Sequence, residues 1–342
     1  MDGYRIAVIG ATGAAGRVLL GIIEERSFPV SSVRLCASER SWGKIITVNG
    51  GDVVVEEPTR ELLRDVDFLF IAASSGVSRE LSPMAVDEGA LVIDKSSAFR
   101  MDPDVPLVIP EVNGDDMESH HGIIAAPNCS TTPLAMVLKP LNGANNVRRV
   151  TVATYQSVSG AGAAAMDELR TQSGQVLAGD QPEPIALPHQ IAFNVVPQVE
   201  SFLDNGYTTE EMKMVAETRK ILHEPELAVS ATCVRVPVMV SHSEAVHIEF
   251  EEAITPDEVR ETLAGAPGLK VMDAPESSVY PMPVDAEGRD EVFVGRIRQD
   301  QSHPRGVVMW IVTDNLRKGA ALNAVQIAEE VLSRELMPAQ RG

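Results

Sequence analysis

A single cysteine carries the strongest chemical signal in this chain. It stands in Ala126-Pro127-Asn128-Cys129-Ser130-Thr131-Thr132-Pro133. Residues 122–127 (GIIAAP) are apolar enough for a buried strand, and 133–139 (PLAMVLK) read as a helix with proline in its first turn. Cys129 is thereby expected at the positive end of a helix dipole, close to unpaired backbone N–H groups. Such surroundings can lower a thiol pKa from about 8.5 by one unit or more. A free cysteine is ordinarily a small buried hydrophobe, but the polar run Asn-Cys-Ser-Thr-Thr at a strand–helix junction argues for a nucleophile. Among seven histidines, His242 is the candidate acid–base partner, because Val240-Ser241-His242-Ser243-Glu244 is a polar knot between two apolar runs. Its plain alternative is a histidine in a surface turn. A histidine titrating near neutrality suits proton transfer in either direction. Asn128 or the backbone N–H of Cys129 is placed to stabilise an oxyanion, and Asn128 serves equally well as a helix N-cap. Arg235 lies among Val234, Val236 and Val238, where an unpaired buried charge costs several kcal/mol, so it needs an anion. Positions 235 and 242 would fall on opposite faces of one straight strand, which requires a bulge or break within 237–241.

The elements that must position these groups begin at the N-terminus. Residues 4–9 (YRIAVI) form an apolar strand run, followed by Gly10-Ala11-Thr12-Gly13-Ala14-Ala15-Gly16 and a helical pattern over 17–25. Strand, three glycines three residues apart, then helix is a dinucleotide-binding arrangement, with the pyrophosphate held on the helix N-terminus by Gly10, Thr12, Gly13, Ala14, Ala15 and Gly16. A second strand run, 33–37, leads into Ser38-Glu39-Arg40-Ser41 with no acidic residue at its last position. Ser38, Arg40 and Ser41 suit the 2′-phosphate of NADP, whereas Glu39 turned inward would suit NAD. Runs at 66–73 and 91–94 complete this alternation, and the first ends in Ser74-Ser75-Gly76, a second loop able to approach a cofactor. Beyond Cys129 the pattern changes. Residues 148–156, 231–240 and 244–250 alternate as half-solvated strands, separated by helices near 162–177 and 208–222. Thr208 and Glu211 fit a capping box, while Glu210 and Lys213 share a helix face and read as a surface ion pair or as substrate groups. A last amphipathic helix covers 316–332.

Lys and Arg number 29 against 49 Asp and Glu, a net charge of −20 that disfavours nucleic acid and anionic membranes as partners. Three cysteines (Cys36, Cys129, Cys233) make no disulfide framework, which fits a reducing, cytoplasmic setting, and Cys36 and Cys233 read as packing residues. The chain is expected to enter its first strand directly from Met1-Asp2-Gly3, without a signal peptide, and no run approaches the ~20 apolar residues of a membrane span. No metal-ligand spacing is present.

Several motifs, in order and nearly end to end, carry a resemblance. They are residues 10–16 (GATGAAG), 96–101 (SSAFRM), 108–113 (VIPEVN), 127–132 (PNCSTT), 155–162 (YQSVSGAG), 235–238 (RVPV) and 242–246 (HSEAV). Together they resemble the aspartate-β-semialdehyde dehydrogenases. The resemblance implies a Rossmann-type NADP-binding domain over 1–128, joined by a C-terminal helix at about 316–334, and an α+β catalytic and dimerisation domain over 129–315. It implies a thioester-forming nucleophile at Cys129, an acid/base at His242, and substrate held by Gln156, Glu210 and Arg235. Arg100 and Lys213 would hold inorganic phosphate, Ser159 and Gly160 would join the cofactor site, and Asn315 would meet the nicotinamide. The implied reaction is reversible oxidative phosphorylation of L-aspartate 4-semialdehyde, run in reverse toward lysine, threonine and methionine, by a homodimer or homotetramer. Two departures stand out: Lys95 replaces an asparagine and adds a cation near the phosphate groups, and Ser241 replaces a glycine. Because Ser241 has a Cβ, the loop before His242 is not expected to need a glycine-only conformation. Two other readings are an acyl-phosphate reductase of the N-acetylglutamyl phosphate or glyceraldehyde phosphate type, and a non-catalytic dinucleotide-binding paralogue. The former offers Glu210 no ammonium; the latter usually lacks the nucleophile or base.

Overall fold

The computed structural model describes residues 3–338, so Met1 and Asp2 lie outside the described residues. The chain is mixed α/β and forms two units: residues up to Asn128 together with those from Ala320 onward, and Cys129–Gly319. The first unit is built on a seven-stranded sheet. Its strands are β1 (Tyr4–Ile9), β2 (Val30–Cys36), β3 (Ile45–Val48), β4 (Gly51–Glu56), β5 (Phe68–Ile71), β6 (Leu91–Asp94) and β7 (Ile123–Ala125), ordered β3-β4-β2-β1-β5-β6-β7. All neighbours pair in parallel except β3 with β4. The chain runs outward from β1 in both directions, so the ends of β1 and β5 flank a topological switch point, the place where open α/β sheets bind ligands. Strands buried on both faces need continuous apolar runs, and Phe68–Ile71 and Leu91–Asp94 are buried throughout. The helices Ala14–Glu25 and Leu322–Ser333 pack on this sheet, with Leu19, Ile22, Val325 and Val331 joining Val8, Phe68 and Phe70 in one core. Asn323 Nδ2 donates to Val108 O at 2.9 Å, and Gln326 to Glu111, fixing the last helix there.

The expected helix over 316–332 starts late. Arg317–Ala321 form a wide π-type turn, and regular helix begins only at Leu322. Such turns are common beside functional sites.

The second unit carries a six-stranded mixed sheet. Its strands are β8 (Val147–Gln156), β9 (Ala228–Arg235), β10 (His242–Phe250), β11 (Leu269–Val271), β12 (Val292–Gln299) and β13 (Gly306–Thr313), ordered β11-β12-β13-β10-β8-β9. β8 and β9 are parallel, and β10 is antiparallel to both β8 and β13. The C-terminal ends of β8, β9 and β13 and the N-terminal end of β10 therefore share one edge of the sheet. The strand expected over 231–240 is cut short: it ends at Arg235, and six residues cross the end of β8 before β10 begins. Crossing a central strand spans roughly two strand spacings, about 10 Å. Arg235 and His242 thus occupy different strands on either side of Gln156, and the parity conflict of a single strand disappears. Among the described residues no helix is long and apolar enough to cross a membrane.

Candidate active site

The shared edge of the second sheet gathers most of the predicted groups. Helix Thr131–Ala144 begins two residues after Cys129, with Pro133 third in its first turn. Ser130, just before it, is already in right-handed helical conformation and its side chain makes no cap bond. Cys129 Sγ lies 3.4 Å from Nε2 of His242, which is buried at the start of β10. The other ring nitrogen, Nδ1, is 3.0 Å from both the backbone N and the Oγ of Ser157. Gln156, last in β8, donates from Nε2 to Ser130 Oγ (2.7 Å) and to Glu210 Oε1 (2.9 Å). Its Oε1 is buried without a donor.

Glu210 sits in the first turn of helix Thr209–Leu222, which opens with the expected Thr208–Glu211 capping box. Despite its helical spacing with Lys213 it is only 4% exposed, and Lys213 Nζ lies 3.5 Å from its Oε2 while also bonding Glu200. A plain surface pair would not be so buried. Arg235, in register with Gln156, donates from Nη1 to Ser157 O at 2.8 Å. Burial pushes its pKa down, opposed by Cys129 and Glu210. Gly160 faces this cluster: the point its Cβ would occupy is 3.0 Å from both Arg235 Nη1 and His242 Nε2.

Asn315 is anchored through one oxygen. After β13, Asp314 accepts the N–H groups of Leu316 and Arg317 at Oδ1 and of Gly288 at Oδ2, turning the chain sharply. Asn315 Oδ1 then accepts from Ser241 N (2.9 Å), Ser159 Oγ (3.0 Å) and Ser157 Oγ (3.1 Å). Ser241 corrects an expectation: its φ is +74°, in the left-handed region, although it has a Cβ. The bond from its N–H to Asn315 offsets a strain on the order of 1 kcal/mol. Of the three cysteines only Cys129 is part-exposed. Burial, reinforced by Glu56, pushes Cys36 up to about 12, and burial likewise raises Cys233, so both remain thiols.

The first unit holds the second group of predicted residues. Gly10, Thr12, Gly13, Ser38, Arg40 and Ser74 line a cleft of about 580 Å³ at the switch point. Gly10 takes φ +86°, and a Cβ there or at Gly16 would come within 2.2 Å of a carbonyl oxygen, so these two are required by packing. Ala14, Ala15 and Gly16 form the first turn of the following helix. Ser41 is buried, its Oγ 3.2 Å from Thr12 Oγ1 and 3.4 Å from Lys44 Nζ. Glu39 is exposed and is not among the cleft residues, whereas Glu57 and Glu80 are. Arg100 is buried and donates to Ala126 O (2.9 Å) and to the carbonyl of Lys95 (2.7 Å). Sequence reasoning gave no role to Ser157, Lys44, Glu57 or Glu80. Ser157 was legible only as one more polar residue after an alternating strand.

Residues 5–120 match the family model described as semialdehyde dehydrogenase, NAD binding domain, and 138–318 the one described as its dimerisation domain. An aspartate-semialdehyde dehydrogenase of Aquifex aeolicus is 50% identical over 339 residues, 98% of this chain and 100% of that protein. A solved aspartate semialdehyde dehydrogenase II of Vibrio cholerae complexed with ASA superposes with a TM-score of 0.93 at 44% identity, covering 97% of this chain and 99% of that one. One from Candida albicans with NADP reaches 0.76 at 25% identity, covering 98% and 100%.

Proposed function

The chain belongs to the aspartate-semialdehyde dehydrogenase family, and on that premise we propose that it interconverts L-aspartate 4-semialdehyde and phosphate with 4-phospho-L-aspartate, using NADP. The observation that carries the reading is the 3.4 Å approach of Cys129 Sγ to His242 Nε2, with the Arg235 guanidinium beside the same space. Cys129 passes its proton to Nε2 and its sulfur bonds to the aldehyde carbon. Nε2 returns that proton to the carbonyl oxygen, giving a thiohemiacetal, and takes it back as the carbon loses hydride and the carbonyl reforms as a thioester. A phosphate oxygen then displaces the sulfur, the phosphate proton passes to the departing thiolate, and the proton held by His242 leaves to solvent. The biosynthetic direction reverses each step.

Arg235 suits the substrate carboxylate, since an arginine fork matches a carboxylate bidentately. Glu210, with the undonated Oε1 of Gln156, offers acceptors for the ammonium, and Lys213 a cation for phosphate. Glu210's burial favours this substrate over one without an amino group. Arg100's proposed part in phosphate binding rests on the family resemblance, because its Nε and Nη2 serve backbone carbonyls.

When bound, the dinucleotide supplies a hydride acceptor or donor at its nicotinamide. Gly10, Thr12, Gly13 and the helix beginning at Ala14 fit its pyrophosphate, because the Gly10 turn and the adjoining cleft leave the backbone open to it. Ser38, Arg40, Ser41 and Lys44 favour the 2′-phosphate of NADP, as does the NADP in the Candida albicans relative.

An absorbance assay of NADPH formation tests this with aspartate 4-semialdehyde, N-acetylglutamate 5-semialdehyde and glyceraldehyde 3-phosphate, each with phosphate. Turnover is expected with the first aldehyde and abolished by Cys129→Ser. Preference for either other aldehyde, or a Cys129→Ser rate above about a tenth of wild type, overturns the reading.

A further inference from the structure

We propose that Ser157 and Asn315 are positioning residues that set the protonation state of His242, a role that deepens the Cys129–His242 reading and rests on it. Ser157 presents Nδ1 of His242 with two opposed partners at the same 3.0 Å distance, its backbone N–H and its hydroxyl oxygen. The N–H can only donate, so while it is engaged the neutral ring keeps its proton on Nε2 and cannot accept another there. The hydroxyl can donate or accept. A ring that takes a proton from Cys129 at Nε2 must carry N–H at Nδ1 as well, and that N–H needs an acceptor.

Asn315 draws the hydroxyl proton away from the ring, directly or through Ser159, whose Oγ is 3.0 Å from that of Ser157. Its Oδ1 accepts the unambiguous backbone donor of Ser241, and it draws the Ser157 and Ser159 hydroxyl protons to the same oxygen. With the Ser157 proton directed to Asn315, the Ser157 oxygen turns a lone pair to Nδ1. The imidazolium is thereby accommodated in a buried site where it would otherwise lose a hydrogen bond. The same carboxamide oxygen fixes Ser241 in its left-handed conformation, and hence the start of β10. One asparagine thus anchors both the backbone that carries His242 and the hydroxyl that selects its tautomer. Other ionisable groups stand on the surrounding elements. They are Cys129 before helix Thr131–Ala144, Arg235 ending β9, Glu210 on helix Thr209–Leu222, Glu244 on β10, and Asp314 and Lys318 after β13. All are retained in the variants below.

The test is the pH dependence of Cys129 alkylation by iodoacetamide in the full-length protein without cofactor or substrate, read beside NADP affinity and Tm. Ser157→Ala and Asn315→Ala are each expected to raise the midpoint of alkylation by about one pH unit, the scale of one charge-assisted hydrogen bond. NADP affinity should stay within about twofold of wild type in Ser157→Ala. Asn315→Asp keeps the acceptor oxygen, so its midpoint should lie at or below the wild-type value even if the alanine variant is poorly folded. A wild-type midpoint in both alanine variants overturns the proposal. So does loss of NADP affinity in Asn315→Ala without a shift, the signature of a residue that serves the nicotinamide alone. His242→Ala separates the two levels: if it leaves the midpoint unmoved, the Cys129–His242 pairing itself fails. If it raises the midpoint while the Ser157 and Asn315 variants do not, only the present proposal fails.

Discussion

Gly160→Ala should disable the enzyme without unfolding it. The added methyl would sit 3.0 Å from Arg235 Nη1, 3.0 Å from His242 Nε2 and 3.1 Å from His242 Cε1. Ordinary contact begins near 3.4 Å, so the ring and the guanidinium must each retreat by about 0.4 Å or more. Both are held from behind: His242 by the two Ser157 contacts at 3.0 Å, and Arg235 by Ser157 O at 2.8 Å. Any retreat also alters the 3.4 Å approach to Cys129. A misplacement of about 1 Å costs on the order of 100-fold in rate, so a shift of this size, with substrate space partly filled, should cost kcat roughly 10- to 100-fold. Gly160 is exposed and lies outside the left-handed region, so alanine is compatible with its backbone. Displacing two anchored groups costs about 1–3 kcal/mol, partly offset by the ~0.4–1 kcal/mol that Gly→Ala gains through the unfolded chain, so Tm should fall by only a few degrees. Initial rates with varied aldehyde and varied NADP, beside a melting curve, check this. A kcat/KM within twofold of wild type, with no fall in Tm, would refute the geometry. A rise in the NADP KM with kcat intact would instead return Gly160 to a purely cofactor-binding role.

Arg235→Lys keeps the charge but loses the planar fork and the bond to Ser157 O. The aldehyde KM should rise and kcat fall by up to about 100-fold, whereas impairment toward phosphate alone would reverse the assignment of the anion groups. Arg40→Ala should weaken NADP roughly tenfold or more and NAD little, because only NADP offers a 2′-phosphate; equal losses measured by titration would make Arg40 structural. Glu244 is buried with both oxygens unpartnered, and burial raises its pKa well above the usual 4.5. The folded protein therefore retains a proton there that the unfolded chain releases, so its contribution to stability falls as pH rises above about 4.5, by up to ~1.4 kcal/mol per pH unit until the folded group itself ionises. Glu244→Gln cannot titrate, so its Tm relative to wild type should climb from pH 4 to pH 8. Parallel Tm curves would show that Glu244 does not titrate differently on folding.

Local patterning was enough to find most elements. Strand β1, the glycine turn and the helix after it follow from apolar runs and from the carbonyl contacts that exclude a Cβ at Gly10 and Gly16. The capping box at Thr208 is likewise a contact between residues three apart. Where a neighbouring strand decided the outcome, the reading strayed. β9 stops at Arg235 because the chain must cross β8, and Ser241 adopts a left-handed φ because Asn315, distant in sequence, receives its N–H. Glu39 lies outside the cleft, while Glu57 and Glu80, from other turns of the chain, line it.

Residue order alone sets which reactive groups exist and the local frame of each. Cys129 lies before a helix, three glycines follow a strand, and an arginine stands in an apolar run that demands an anion. Those properties depend on residues within one turn or one strand of each other, where covalent geometry fixes the neighbours. That Cys129 meets His242, 113 residues away, and that Ser157 and Asn315 stand behind that histidine, are properties of the folded chain. Such contacts depend on strand order and register in the second sheet. A one-residue slip would turn Gln156, Arg235 and His242 away from one another without changing any local pattern.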